Sequence, residues 1–172
     1  MADISTDITT WSSTAGNNQP TGSTVIGTGL DDNLRAIQAG IKSWYDKVSA
    51  PIASSLGGDV AMNNTANYFD GPSVAQGTSG TWFVFGQVSC TDTAGAAGLY
   101  AKLWDGTTVI ASVASRISGA NQNTTVSLSG YIINPAGNLR ISCRDTTSTS
   151  GVILFNNSGL SKDSTITAIR VA

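Results

Sequence analysis

From Phe69 to the end of the chain, apolar and polar residues alternate in short runs broken by turn signals about every 10–15 residues. That rhythm constrains the fold more than any other feature. Alternation of period two gives a strand one apolar face. Eight segments carry it: 69–75, 81–91, 98–105, 107–117, 123–133, 138–145, 151–156 and 163–171. Strands with no helix between them pair antiparallel, and this number predicts a two-sheet sandwich of the jelly-roll type. Asp105-Gly106 marks a tight hairpin and Pro135-Ala136-Gly137 a second turn. The expected core is Trp82, Val84, Val88, Leu99, Ala101, Leu103, Val109, Ala111, Val113, Ile117, Val126, Leu128, Ile132, Leu139 and Ile141. The runs Trp82–Phe85 and Val152–Phe155 are apolar on both faces, which a half-solvated strand is not. A neighbouring subunit is expected to cover the second face.

Composition agrees with a β-protein. The chain holds 43 Ser and Thr, 19 Gly and 12 Asn, and all 11 acidic residues are Asp. With no His, the usual general base near neutral pH, the commonest zinc ligand and the Ser-His-Asp triad are missing. No catalytic residue, metal site or cofactor is expected. A net charge of −2, with Lys and Arg scattered singly, argues against nucleic acid as a partner. No apolar run approaches the roughly 20 residues that span a bilayer, and Met1–Ser5 lacks a signal-peptide pattern. Synthesis in a cytoplasm without membrane insertion is expected.

One helix is legible, from Leu30 to about Val48. Asp31 and Asp32 are placed in its first turn and Lys42 and Lys47 toward its end, as the helix dipole favours. Leu30, Leu34, Ile37, Ile41, Trp44 and Val48 recur at spacings of 4, 3, 4, 3 and 4, a narrow heptad stripe. Asn33, Arg35, Gln38, Lys42 and Lys47 form the opposite side. Such a stripe suits a short parallel bundle, most naturally three-stranded. An amphipathic helix resting on its own β-domain, or flat on another protein, is the alternative. Residues 1–29 are polar and turn-rich, with only Ile4, Ile8, Trp11, Val25 and Ile26 as apolar anchors. They bury too little to offset about 1–2 kcal/mol of backbone entropy per residue, so docking onto a larger assembly is expected to order them. Residues 51–68 read as a linker with a short strand near Val60.

The segment Gly27–Lys42 (GTGLDDNLRAIQAGIK), preceded by Trp11, Asn17-Asn18 and Pro20-Thr21-Gly22, resembles the N-terminal region of bacteriophage fibre proteins. The match spans about the first 50 residues. It implies a virion protein, usually trimeric, anchored by its N-terminus to tail, portal, collar or capsid, with a β-rich head outward. The last 100 or so residues are similar to the compact jelly-roll heads of tumour necrosis factor and complement proteins, an analogy of fold alone. The expected architecture is mainly β: an extended anchoring arm (1–29), a trimerising helix (30–50) forming a short coiled coil, a linker (51–68) and an eight-stranded antiparallel jelly-roll-like head (69–172). A short tail fibre, a head fibre and a capsid-stabilising decoration all fit this plan.

Cys90 and Cys143 share the alternation of core residues; buried free thiols are the expectation, a disulfide within or between subunits the alternative. Asp92, Asp105, Asp145 and Asp163 belong to turns at strand ends, and a calcium site would need several to converge. For a host-surface glycan, the candidates are Trp104 and Tyr131, which can stack on sugar faces, with Asn121, Gln122 and Asn123 to bond hydroxyls. Packing of both aromatics at a subunit contact or against neighbouring strands is the alternative. Three functions stand side by side: a phage appendage or decoration, a bacterial jelly-roll carbohydrate-binding module, and a hydrolase using paired Asp, which needs two carboxylates converging in a cleft.

Overall fold

The computed structural model describes residues 8–18 and 27–172, and at 27–29 and 31 the backbone only. Ile4, Val25 and Ile26 of the expected anchor lie outside the described residues; Ile8 and Trp11 lie within. The chain divides into two compact units, the sandwich Pro51–Arg170 and the N-terminal part together with Val171–Ala172.

In the N-terminal unit, residues 8–18 are turned rather than extended. Two 3-10 turns, Ile8–Thr10 and Ala15–Asn17, both contact the helix. The buried Asn18 side chain closes the loop: its Oδ1 accepts from Ser12 N at 2.8 Å and its Nδ2 donates to Ser12 O at 2.9 Å. The helix α1 spans Gly27–Ser49, beginning three residues before its sequence signal. Asp31 and Asp32 therefore sit beyond the first turn, and only Lys47 retains its expected place near the end. Asp32 pairs with Arg35 and Lys42 with Asp46 along the helix surface.

The sandwich has ten strands, not eight. β1 (Ile52–Ser55) and β2 (Val60–Met62) come from the segment expected to be a linker, and β2 is the short strand expected near Val60. The remaining eight match the expected segments: β3 (Phe69–Val74), β4 (Thr81–Asp92), β5 (Ala97–Trp104), β6 (Val109–Ile117), β7 (Asn123–Ile133), β8 (Leu139–Asp145), β9 (Gly151–Ile153) and β10 (Thr165–Arg170). The first two are short and are completed by pairing: β1 extends β10 and β2 extends β9. Every pairing is antiparallel. One sheet runs β1-β10-β4-β7, with β9 and β2 continuing beside the far end of β4; the other runs β3-β8-β5-β6. β4 is the hub. One edge pairs with β10 over 82–87 and β9 over 90–92, while the other pairs with β7 over 81–91.

Between the sheets lie Trp82, Val84, Val88, Leu99, Leu103, Ile117, Leu139, Ile141, Ile153 and Ile166, all buried. Val109, expected in this core, is exposed. A register shift between Leu103 and Trp104 makes Val109 the partner of outward-facing Trp104, so its side chain turns out with it. Ala111 and Val113 are only partly buried.

Candidate functional site

The stripe on α1 is the first candidate surface. Leu30, Ile37, Ile41 and Trp44 are 42–58% exposed, while Leu34 and Val48 are half-buried. The covered side is the polar one. Gln38 and Ala39 are buried, and the side chains of Arg35 and Lys42 are largely covered. Positions 35, 38, 39 and 42 share one helical face. Gln38 Oε1 is buried without a hydrogen-bond partner. A helix normally covers its apolar face, so among the described residues this arrangement leaves Leu30, Ile37, Ile41 and Trp44 as an exposed apolar ridge.

A second apolar surface lies on the outer side of the β4-containing sheet. The alternation that sends Trp82 and Val84 inward sends Phe83 and Phe85 outward, opposite Tyr131 and Ser129 of β7 and Ile169 and Thr167 of β10. The Phe83 ring centroid is 4.8 Å from that of Tyr131 and 5.7 Å from that of Phe85. Tyr131 is 66% and Ile133 70% exposed. Farther along the same face a shallow depression of about 420 Å³ is lined by Phe85, Gln87, Ser127, Ser129 and Thr165.

The outer side of the second sheet has a different chemistry. Trp104 on β5 donates its Nε1–H to Ser142 Oγ at 2.6 Å, and that hydroxyl donates to Asp70 Oδ1 at 2.6 Å. Lys102 Nζ lies 3.2 Å from the Trp104 ring centroid and 4.3 Å from that of Tyr68; the Arg140 guanidinium lies 4.8 Å from that of Trp104. Arg144 sits 5.2 Å from both the Tyr68 and Tyr100 rings. Burial, and the charge of Arg140, push the Lys102 ammonium below its ordinary value, and Asp70 opposes them.

These placements separate the five expected glycan-binding residues. Trp104 and Tyr131 face out from different sheets. Asn121 and Gln122 lie in the β6–β7 connection, whose Asn121 N donates to Asp92 O at 2.7 Å. Asn123 pairs with Thr91 and Tyr131 with Phe83, eight rungs apart, or about 27 Å along the strand. The five do not form one contact surface. Sequence reasoning missed Tyr68, Lys102, Arg140 and Arg144, which join Trp104 from three separate stretches of chain.

Two carboxylates do converge, away from solvent. Asp92 at the end of β4 and Asp145 at the end of β8 are both buried and near enough for each to act on the other's titration, and Asp145 Oδ2 is buried without a hydrogen-bond partner. Burial raises the Asp145 carboxyl, and the Asp92 charge adds to the rise. Burial also acts upward on Asp92, but Ser148, Asp145 and the amides of Ala94 and Gly95 outweigh it and leave that carboxyl below its usual range. Asp145 Oδ1 accepts from the amides of Thr147 and Ser148, and Ser148 Oγ donates to Asp92 Oδ2. The pair ties the loop after β4 to the loop after β8. Among the described residues no group of three or more His, Cys, Asp or Glu could hold a metal ion.

Cys90 and Cys143 are buried free thiols that meet across the sandwich. The hydrogen bond with Cys90, together with burial, raises the Cys143 thiol well above its ordinary value. Their full burial leaves neither able to reach another subunit. Among the described residues no helix is long and apolar enough to cross a membrane.

No protein-family model matches the sequence, and a search of curated proteins gives no match. Among solved structures, the chain is similar to Eiger TNF from S. frugiperda (12% identity, 71% of this chain and 92% of that one, TM-score 0.48). It is also similar to the C-terminal CBM6 of LamC from Zobellia galactanivorans (15%, 73% and 94%, 0.38). A third is the PRD1 vertex protein P5 (15%, 73% and 99%, 0.36). At such identities and scores, nothing about function follows from these likenesses.

Proposed function

We propose that this chain is a structural, non-enzymatic protein of a tailed-phage particle: a short homotrimeric fibre or appendage with the sandwich as its displayed head. One observation carries the self-association. Leu30, Ile37, Ile41 and Trp44 of the α1 stripe are exposed while the polar side of the same helix is covered. Each such side chain contributes roughly 1.5–3 kcal/mol on full burial, so like helices gain by meeting along it. A stripe of this length does not fix an oligomer by itself. The Phe83–Phe85–Tyr131 surface supplies a second apolar contact of the kind that copies would bury. The virion assignment rests on the fibre-like segment Gly27–Lys42, and the N-terminal part would meet tail, portal, collar or capsid proteins. The work done is binding. Three weak head contacts on one particle gain avidity of order 10² to 10⁴ where the geometry permits.

Sedimentation or light scattering of the full chain tests this reading, with three times 17.6 kDa as the expected mass. A stable monomer at micromolar concentration overturns it. That outcome favours a carbohydrate-binding module, a reading supported by the cation-and-aromatic surface around Trp104. Imaging of the native particle separates a fibre from a capsid-stabilising decoration.

A further inference from the structure

The outer side of the β3-β8-β5-β6 sheet carries a ladder of cations. Along β5 the outward positions are Gly98, Tyr100, Lys102 and Trp104, whose alternate neighbours Leu99, Ala101 and Leu103 are buried. Their cross-strand partners place Arg116 beside Gly98, Arg144 beside Tyr100 and Arg140 beside Trp104. Each of four successive outward rungs therefore holds one cation. Rungs on one face repeat every two residues, about 6.8 Å, so the row runs about 20 Å. Four of the nine Lys and Arg of a chain with net charge −2 gather here. The carboxylate beside them is Asp70, 3.2 Å from Arg140 Nε.

The aromatic rings hold the cations in place. Lys102 is stacked between Tyr68 and Trp104, and Arg144 is flanked by Tyr68 and Tyr100. Arg144 Nε is buried without a hydrogen-bond partner. A depression of about 340 Å³ lies next to Arg116, lined also by Gly98, Ser115 and Thr147. Like charges fixed in a row repel one another, and a ligand with repeating negative charge relieves that repulsion.

The geometry points to a binding face for an acidic polysaccharide, one whose sugar carboxylates repeat along the chain. Planar guanidiniums on three of the four rungs suit carboxylate oxygens, and the threonine and serine hydroxyls at the Gly98 end suit sugar hydroxyls. Bases of a nucleic acid would need free aromatic faces, whereas Lys102 and Arg140 already lie over Trp104. The face deepens the display role proposed above by naming a ligand class, but the two fail separately: particle mass reads assembly, and titration reads this face.

The test is calorimetric or fluorescence titration of the full chain with polygalacturonate oligomers, with neutral dextran and a DNA duplex as comparators. Saturable binding of polygalacturonate is expected, weakened by salt and absent for dextran. The Lys102→Gln/Arg144→Gln variant should bind about tenfold or more weakly, since it loses charge-assisted contacts. Lys162→Gln, on the loop that reaches Ser55, should bind as the parent does. A thermal melt of each variant separates lost binding from lost folding. Should Lys102→Gln/Arg144→Gln melt early, Arg116→Gln, exposed at the ladder's end, reads the same face with a smaller loss. No polygalacturonate binding, equal binding of dextran, equal or tighter binding of DNA, or full affinity in folded variants overturns the proposal.

Discussion

Asp105 shows how much a single side chain can organise when its charge is buried among donors. Its Oδ1 accepts from the amides of Thr107 and Thr108 at 2.8 and 2.6 Å, and its Oδ2 from Ala136 at 2.7 Å. Burial acts upward on this carboxyl, but the three amides outweigh it and hold it below the ordinary range. Its contribution is therefore present above the unfolded value and lost as pH falls through the folded one. Asp105→Ala is expected to cost about 3 kcal/mol in denaturant melts at pH 7, with a gap that narrows toward pH 3. Asp145 behaves in the opposite sense. Its carboxyl is raised, so its stabilising proton is held in acid and lost as pH rises through the folded value. Asp145→Asn supplies a permanent donor toward Asp92 and should melt higher than the parent at pH 8, with the advantage shrinking toward pH 4. An unchanged pH dependence would show that the Asp145 carboxyl is not raised. Asp105 was legible in the sequence because Asp-Gly between alternating runs signals a hairpin, though four residues, Asp105–Thr108, close it rather than two. The Asp92–Asp145 pair was not. Alternation gives a side chain's direction but not which of several strand ends lies opposite.

At the scale of elements, seven strands could be read because each is long enough to show its period, while β9, at three residues, was marked by the apolar run Val152–Phe155. β1, at four residues, is not long enough, and β2 was marked only as a short strand near Val60. Helix α1 was legible from its heptad spacing, but its covered side was not, since nothing in the stripe says which face the preceding turns will occupy. Ile37→Asp puts a charge in the middle of the exposed ridge without touching the sandwich core. It should dissociate the oligomer in sedimentation while leaving the sandwich melt within about 0.5 kcal/mol of the parent. Within β4, Gly86 is fixed by crowding: a Cβ there would stand 2.4 Å from Thr165 O and 2.9 Å from Ile166 Cα, both backbone. Gly86→Val should cost about 3 kcal/mol or more in a denaturant melt, because β10 must move to admit it.

For the molecule as a whole, the sandwich has outer faces of unlike character. One bears Phe83, Phe85, Tyr131 and Ile133; the other bears Lys102, Arg116, Arg140 and Arg144. The first was foreseeable from Trp82–Phe85, apolar on both sides. The second was hidden, because its cations stand alone in the sequence and meet only through pairing of β5 with β6 and β8. A body that is greasy on one flank and basic on the other has a built-in polarity. If copies close up on the greasy flank, as proposed, the basic one would be left pointing away from the axis on every copy. The same step that made the cluster would then aim it, and no separate instruction for orientation would have to be written into the chain.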